Sequence, residues 1–314
     1  MNKSGGSTNS PSFLGKNRPG RLLTAMVTPF NARGEVDYQQ AKRLALSLMD
    51  SGSDGMVVSG TTGESPTLSK EEKLRLFAET KSAVANRGIV VAGTGSYDTR
   101  ESQELTREAE KAGVDACILV VPYYNRPTQQ GLWEHFRAIA QSTTLPCILY
   151  NVPSRTVTNL AADTVIKLSQ IDNIVGVKEA SGNLEQIAEI IHRTKEDFLV
   201  YSGNDSDTFP ILALGGYGVI SVASHLVGIQ IKEMMEKFIN GQVQEAAEIH
   251  RYLLPLVNAL FIVANPMPVK WALNYVGFSV GKPRLPLTEP DEKSANLIQE
   301  TLKNYRIDLP IPKS

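Results

Sequence analysis

The sequence is poor in cysteine and histidine and has no long apolar run, and each shortage closes off a class of protein. Only two cysteines, Cys117 and Cys147, occur in 314 residues. Each sits in a strand-like run, which suits reduced, buried thiols in a cytosolic protein rather than a disulfide framework. The four histidines, His135, His192, His225 and His250, fall on expected helices or just after a strand. No HExxH and no Cys/His pairing accompanies them, so a metal site is disfavoured. No apolar stretch approaches membrane-spanning length. Neither charge sign is in excess: 32 Lys plus Arg face 33 Asp plus Glu, which leaves no basic footprint for nucleic acid. A Walker string is absent, and the nearest string to GxGxxG, Gly93-Thr94-Gly95, lacks the third glycine.

What is present is an ordinary core-forming composition, with 42% apolar and 21% charged residues. The length allows one large α/β barrel or two ordinary domains. Residues 1–20 read differently. They are rich in Ser, Asn and Gly, carry Lys3, Lys16 and Arg18, have no acidic residue, and lack the apolar core of a secretory signal. The stretch is short for a transit peptide and reads as a disordered tail.

From Leu22 the chain alternates short, continuous apolar runs with amphipathic helical segments, eight times in succession to Asn240. Asp37 is placed to cap the first helix, and Ser69 with Glu72 forms a capping box for the second. Continuous apolar strands of this kind suit a parallel sheet buried on both faces. Eight strand–helix units over residues 21–240 predict a (β/α)₈ barrel, with a doubly wound open sheet as the alternative. Residues 241–314 read as a helical extension of the same domain, with helices interrupted by Pro255, Pro266 and Pro268.

In such a barrel the chemistry gathers at the C-terminal ends of the strands. The sixth strand, Ile174-Val175-Gly176-Val177, runs straight into Lys178. Burial of an amine favours its neutral form, and the neutral amine is the form that attacks a carbonyl. A lysine that merely snorkels out of the strand end is the plainer reading. The other strand ends bring Gly60-Thr61-Thr62-Gly63-Glu64, Pro122-Tyr123-Tyr124-Asn125, Tyr150 with Arg155, Ser202-Gly203-Asn204-Asp205 and Ser221 to the same rim. One by one these could be turn glycines, core tyrosines and a surface arginine. Together they suit a 2-oxo acid: imine formation at Lys178, carboxylate held by hydroxyls and loop N–H groups of Thr61 and Thr62, and a tyrosine to move protons. No carboxylate cluster is expected there.

At these residues the chain resembles the dihydrodipicolinate synthase family, among the pyruvate-dependent Schiff-base aldolases that include N-acetylneuraminate lyase. The resemblance runs from about Arg21 to the last helix and rests on Gly60–Glu64, Pro122–Asn125, Tyr150-Asn151-Val152-Pro153-Ser154-Arg155-Thr156 and Gly176–Ala180. It implies Lys178 as the Schiff-base lysine and Tyr150 as proton donor and acceptor. Thr61 and Tyr124 would complete a hydroxyl relay, Tyr124 reaching in from a neighbouring subunit. Thr62 and the backbone at Gly203 and Ile220 would touch pyruvate, and Arg155 would meet the carboxylate of L-aspartate-4-semialdehyde. No metal or organic cofactor is implied. The resemblance further implies a cytoplasmic enzyme at the first committed step of the diaminopimelate route to lysine, assembled as a tetramer of tight dimers, without nucleic-acid or membrane partners. Thr61 and Arg155 favour condensation over cleavage of a longer 2-oxo sugar acid, which is the second reading. A barrel that binds small acids without catalysis is the third. In inhibited members L-lysine binds the tight-dimer cleft, where Ser65, Glu101 and Tyr123 would hold it. Tyr97, Lys70 and Lys73 replace the usual asparagine and histidines there and imply weak feedback.

Overall fold

The computed structural model describes residues 19–311. Eight strands form a closed parallel barrel in sequential order: β1 (Leu22–Ala25), β2 (Gly55–Val58), β3 (Ile89–Gly93), β4 (Ala116–Val120), β5 (Cys147–Asn151), β6 (Ile174–Glu179), β7 (Leu199–Ser202) and β8 (Gly218–Ser221). The pairing Leu23↔Ile220 between β1 and β8 closes the ring. Nearly every strand residue is buried, as continuous apolar strings require when a sheet has side chains inside and helices outside. The barrel is the one expected, and no open-sheet edge remains.

The outer layer comprises α1 (Tyr38–Asp50), α2 (Lys70–Val84), α3 (Thr99–Lys111), α4 (Gln129–Ala140), a single turn α5 (Pro153–Thr156), α6 (Ala162–Leu168), α7 (Leu184–Arg193), α8 (Thr208–Ala213) and α9 (Ser224–Ile239). Asp37 accepts from the Gln40 N–H, and both halves of the Ser69/Glu72 capping box are made. Of the segment expected to be a tail, residues 1–18 lie outside the described residues. Pro19 and Gly20 belong to the barrel instead, because their carbonyls accept the hydroxyls of Tyr217 (2.6 Å) and Tyr201 (3.0 Å).

The chain ends in α10 (Val243–Leu260), α11 (Met267–Tyr275) and α12 (Glu292–Leu302). The expectation that Pro255 interrupts a helix is corrected: α10 runs through it. A proline there removes one backbone hydrogen bond, at a cost of about 3 kcal/mol. The opposing term is burial of Leu253, Leu256, Val257, Ala259 and Leu260, each fully buried apolar side chain contributing roughly 1.5–3 kcal/mol.

One local irregularity matters for the site. Between β5 and β6 the register shifts, from Cys147↔Ile174 to Ile148↔Gly176, so β6 carries one extra residue. Because side chains alternate along a strand, a one-residue shift exchanges its two faces. Beyond the shift, Lys178 pairs with Tyr150. Gly176 tolerates no side chain there, since a β-carbon would stand 2.3 Å from the Leu199 carbonyl oxygen.

Candidate active site

At the C-terminal ends of the strands lies a cavity of about 230 Å³, lined by Thr61, Tyr123, Tyr150 and Arg155 together with Ser59 and Gly60 just after β2 and Gly93 of β3. Lys178, 7% exposed, has its Nζ 4.3 Å from the centre of the Tyr150 ring. Among the described residues its amine makes no ion pair and no hydrogen bond. The bland alternative, a lysine snorkelling to solvent from a strand end, is therefore not what the fold does with it.

The remaining expected residues fall into three groups. Thr62 is buried and is not among the residues lining the cavity, and its Oγ1 accepts from Asn265 Nδ2 at 2.8 Å. Gly203 directly follows β7 and Ile220 lies in β8, each one residue beyond the last pair of that ladder, Ser202↔Val219, while Lys178 pairs with Tyr201 on the other side of β7. Gly203 is required where it stands: its N–H donates to the Glu179 carbonyl at 2.7 Å, and a β-carbon would lie 2.6 Å from that of Ala180. Tyr124 is not brought into the site within one chain. It is 94% exposed and holds a positive φ of 74°, on a loop where its neighbour Tyr123 packs edge-on against Tyr97.

Sequence reasoning passed over the buried carboxylates around this rim. Glu179, adjacent to Lys178 but on the opposite side of β6, accepts from Asn151, Gln186 and the Ser181 N–H. Asp205 accepts from the Ser221 hydroxyl and from the N–H groups of Val222 (2.9 Å) and Ala223 (3.1 Å), which ties β7 to β8. Burial pushes both carboxyls above the usual range, and their hydrogen bonds oppose that; the Lys178 charge also pulls Asp205 down. Glu64, at φ 57°, is paired with Lys270 at 2.8 Å, and both side chains have no exposed surface. Burial brings Lys270 down to about 8 despite its partner carboxylate. The available signal was an acidic residue closing each of three strand-end strings, Glu64 after Gly63, Glu179 after Lys178 and Asp205 after Asn204.

The histidines are equally dispersed in three dimensions. His135 bonds the Thr99 hydroxyl at 2.8 Å beneath α3 and α4, and His225 is buried against the loop after β1. Cys117 and Cys147 are free, buried and 3.4 Å apart on adjacent strands. No helix among the described residues is long and apolar enough to cross a membrane.

A sequentially wound parallel barrel carrying an unpartnered, near-buried lysine beside a tyrosine at its C-terminal mouth is that of a lyase-type enzyme working through a Schiff base. Comparison with known proteins agrees. The chain belongs to the dihydrodipicolinate synthetase family, whose model matches residues 18–305. It is 66% identical over 292 residues to the 4-hydroxy-tetrahydrodipicolinate synthase of Dehalococcoides mccartyi, covering 93% of this chain and 98% of the relative. Among solved structures it is similar to the Cyanidioschyzon merolae enzyme of this family crystallised with lysine bound, with a TM-score of 0.90 at 49% identity, over 91% of this chain and 97% of that one. It is also similar to a dihydrodipicolinate synthase from Bacillus anthracis, with a TM-score of 0.89 at 45% identity, over 94% and 99% of the two chains.

Proposed function

We propose that the protein condenses pyruvate with L-aspartate-4-semialdehyde to give 4-hydroxy-tetrahydrodipicolinate, with Lys178 as the covalent catalyst. The carrying observation is the Lys178 amine, buried at the end of β6 without an ion-pair partner and lying over the Tyr150 ring at the cavity. The amine adds to the ketone carbon of pyruvate, and loss of water leaves an imine. A proton leaves the methyl carbon to give the enamine, whose carbon bonds to the aldehyde carbon of the second substrate. The amino group of that substrate then attacks the imine carbon and expels Lys178, closing the ring.

The surrounding groups divide the remaining work. Thr62 and the backbone at Gly203 and Ile220 hold the pyruvate end. Arg155, which lines the cavity, takes the carboxylate of the semialdehyde in a charge-assisted contact. Tyr150 and Thr61 shuttle the protons that each addition and elimination requires. Tyr124 completes that shuttle from a second copy of the chain, which is supported by its near-complete exposure on a loop beside Tyr97. The working assembly is a homotetramer built from tight dimers, located in the cytoplasm.

The deciding experiment is turnover of purified protein with pyruvate plus L-aspartate-4-semialdehyde, beside pyruvate plus N-acetylmannosamine. Consumption of the first pair at least a thousandfold faster in kcat/KM supports this reading. Preference for the amino sugar overturns it in favour of a sugar-acid lyase.

A further inference from the structure

The sequence places residues 241–314 after the last strand, as if they were an appendage. Two of their residues, Asn265 and Lys270, nevertheless bond the loops of the catalytic rim. Lys270, on α11, spends all three ammonium protons: on Glu64 Oε1 at 2.8 Å, the Thr28 carbonyl at 3.0 Å and the Lys282 carbonyl at 3.2 Å. The other oxygen of Glu64 accepts the Arg284 N–H at 2.8 Å. Glu64 closes the loop that carries Thr61 and Thr62, and it is held there in the left-handed backbone region, which L side chains avoid unless their surroundings impose it. A second tie enters from the same segment. Asn265 donates to Thr62 Oγ1 at 2.8 Å, and its main-chain carbonyl accepts from Arg155 Nη2 at 3.2 Å.

We propose that Lys270 and Asn265 are positioning residues for the condensation. Through Glu64 and Thr62 they hold the loop of Thr61 and Thr62 in register with Lys178, and through the Asn265 carbonyl they aim Arg155. The proposal rests on the roles given above to Thr61, Thr62 and Arg155. A buried ion pair with all three ammonium protons and both carboxylate oxygens engaged is geometrically exacting, and removing one partner strands the other charge. A loop set free by about 1 Å loses reactive geometry without losing the fold.

Three variants test this, with borohydride trapping as the control for the site itself. In the unsubstituted enzyme, borohydride with pyruvate must label Lys178; absence of that label overturns the reading of the site and this proposal with it. Given the label, Lys270→Met and Glu64→Gln should each lower kcat/KM for pyruvate about 100-fold. The double variant should be no worse than the poorer single, because both substitutions act through one contact. All are assayed at a temperature where circular dichroism shows them fully folded. Wild-type kcat and KM with only a lowered melting temperature would mark Lys270 as purely structural and overturn the proposal, as would a double variant whose loss is the product of the two singles. Asn265→Ala keeps the test available should the ion-pair variants not fold. It should raise the KM for pyruvate about tenfold, the worth of one hydrogen bond. The KM for L-aspartate-4-semialdehyde should stay within about twofold, since the carbonyl that receives Arg155 survives. An unchanged pyruvate KM overturns the proposal.

Discussion

Tyr150 and Lys178 are register partners on β5 and β6, and the Lys178 Nζ lies 4.3 Å from the centre of the Tyr150 ring. Lys270, the other buried lysine near the rim, also lies over a ring, that of Phe30 at 4.1 Å, so hydrogen bonding is what sets the two apart. Lys270 is locked by three acceptors, whereas the Lys178 amine has none among the described residues. A ring face attracts the ammonium form by about 0.5–2 kcal/mol, and once the proton is lost no hydrogen-bond acceptor has to be given up before the amine attacks a ketone. In the proposed mechanism the same ring would steady the positively charged imine and present a hydroxyl for its proton transfers.

Lys178 is the residue we propose as carrier of the covalent intermediate. Reduction with borohydride in the presence of pyruvate should add one lactyl-sized mass to the Lys178 peptide, and Lys178→Ala should abolish it. Tyr150→Phe should retain the label while kcat falls by about 10²–10⁴-fold, the usual worth of a positioned proton donor. A label on any other lysine would sink the assignment.

Tyr124 is expected to act in the neighbouring subunit's site. A tyrosine that is 94% exposed at φ 74° carries a backbone cost of roughly 1–2 kcal/mol, and its hydroxyl makes no hydrogen bond among the described residues. Exposed Tyr97 and Val157 lie at the same rim. Tyr124→Phe and Lys178→Ala proteins, each inactive alone, should regain activity when dissociated together and reassembled. The mixed assembly contains sites with both native groups. Demonstrated hybrids without activity would count against a shared site.

The barrel was legible in the sequence because its signal is local. Eight apolar strings with helical spacers, the Asp37 cap and the Ser69/Glu72 box all depend on neighbours within a few residues. Lys178 was legible for the same reason, as a charge closing an apolar strand. The bulge that brings Lys178 into line with Tyr150 was not, since register is a relation between two strands. Nor was the Glu64–Lys270 pair, whose members stand 206 positions apart. Pro255 was misread because propensity argues for a break, while burial against α9 and α12 decides the outcome.

Acid should weaken the fold through His225. Its Nδ1 faces the Val222 carbonyl at 2.9 Å and its Nε2 accepts the Val27 N–H at 3.1 Å, an arrangement only the neutral ring can satisfy. Burial lowers its pKa to about 4, against an ordinary value of 6.5. Between those values the unfolded chain binds a proton that the folded chain does not, so stability rises with pH across the window. The contribution is complete above about pH 6.5 and is lost as pH falls toward 4, with a magnitude on the order of 3 kcal/mol. His135, lowered by burial to about 4, adds to the same slope. Urea unfolding at several pH values should show His225→Gln less stable at pH 7.5 but with a shallower loss between 6.5 and 4. Parallel slopes for the two proteins would remove His225 from the account.

L-Lysine is expected to inhibit weakly. In the cleft where an effector would meet Ser65, Glu101 and Tyr123, the structure already supplies cations. Lys73 is half-buried, held below the usual lysine range by burial and drawn the other way by the Glu101 charge. An incoming ammonium must share Glu101 with it. Two like charges about 6 Å apart cost near 3 kcal/mol at an effective dielectric of 20, and less where solvent screens them. Lys70 contributes less than its position suggests, because its ammonium is turned to Glu108 at 2.8 Å. Tyr97, standing edge-on to Tyr123 with centroids 5.3 Å apart, offers no amide to grip the effector. Losing one hydrogen bond to a charged group removes a further 1.5–3 kcal/mol or so. Each 1.4 kcal/mol is about tenfold in affinity, so half of this sum suffices to push half-inhibition above about 1 mM. Initial rates across an L-lysine titration measure it, and Lys73→Ala should bind the effector about tenfold more tightly than the parent. Half-inhibition of the parent well below 1 mM, or no gain in the variant, would show that Lys73 swings clear of the cleft.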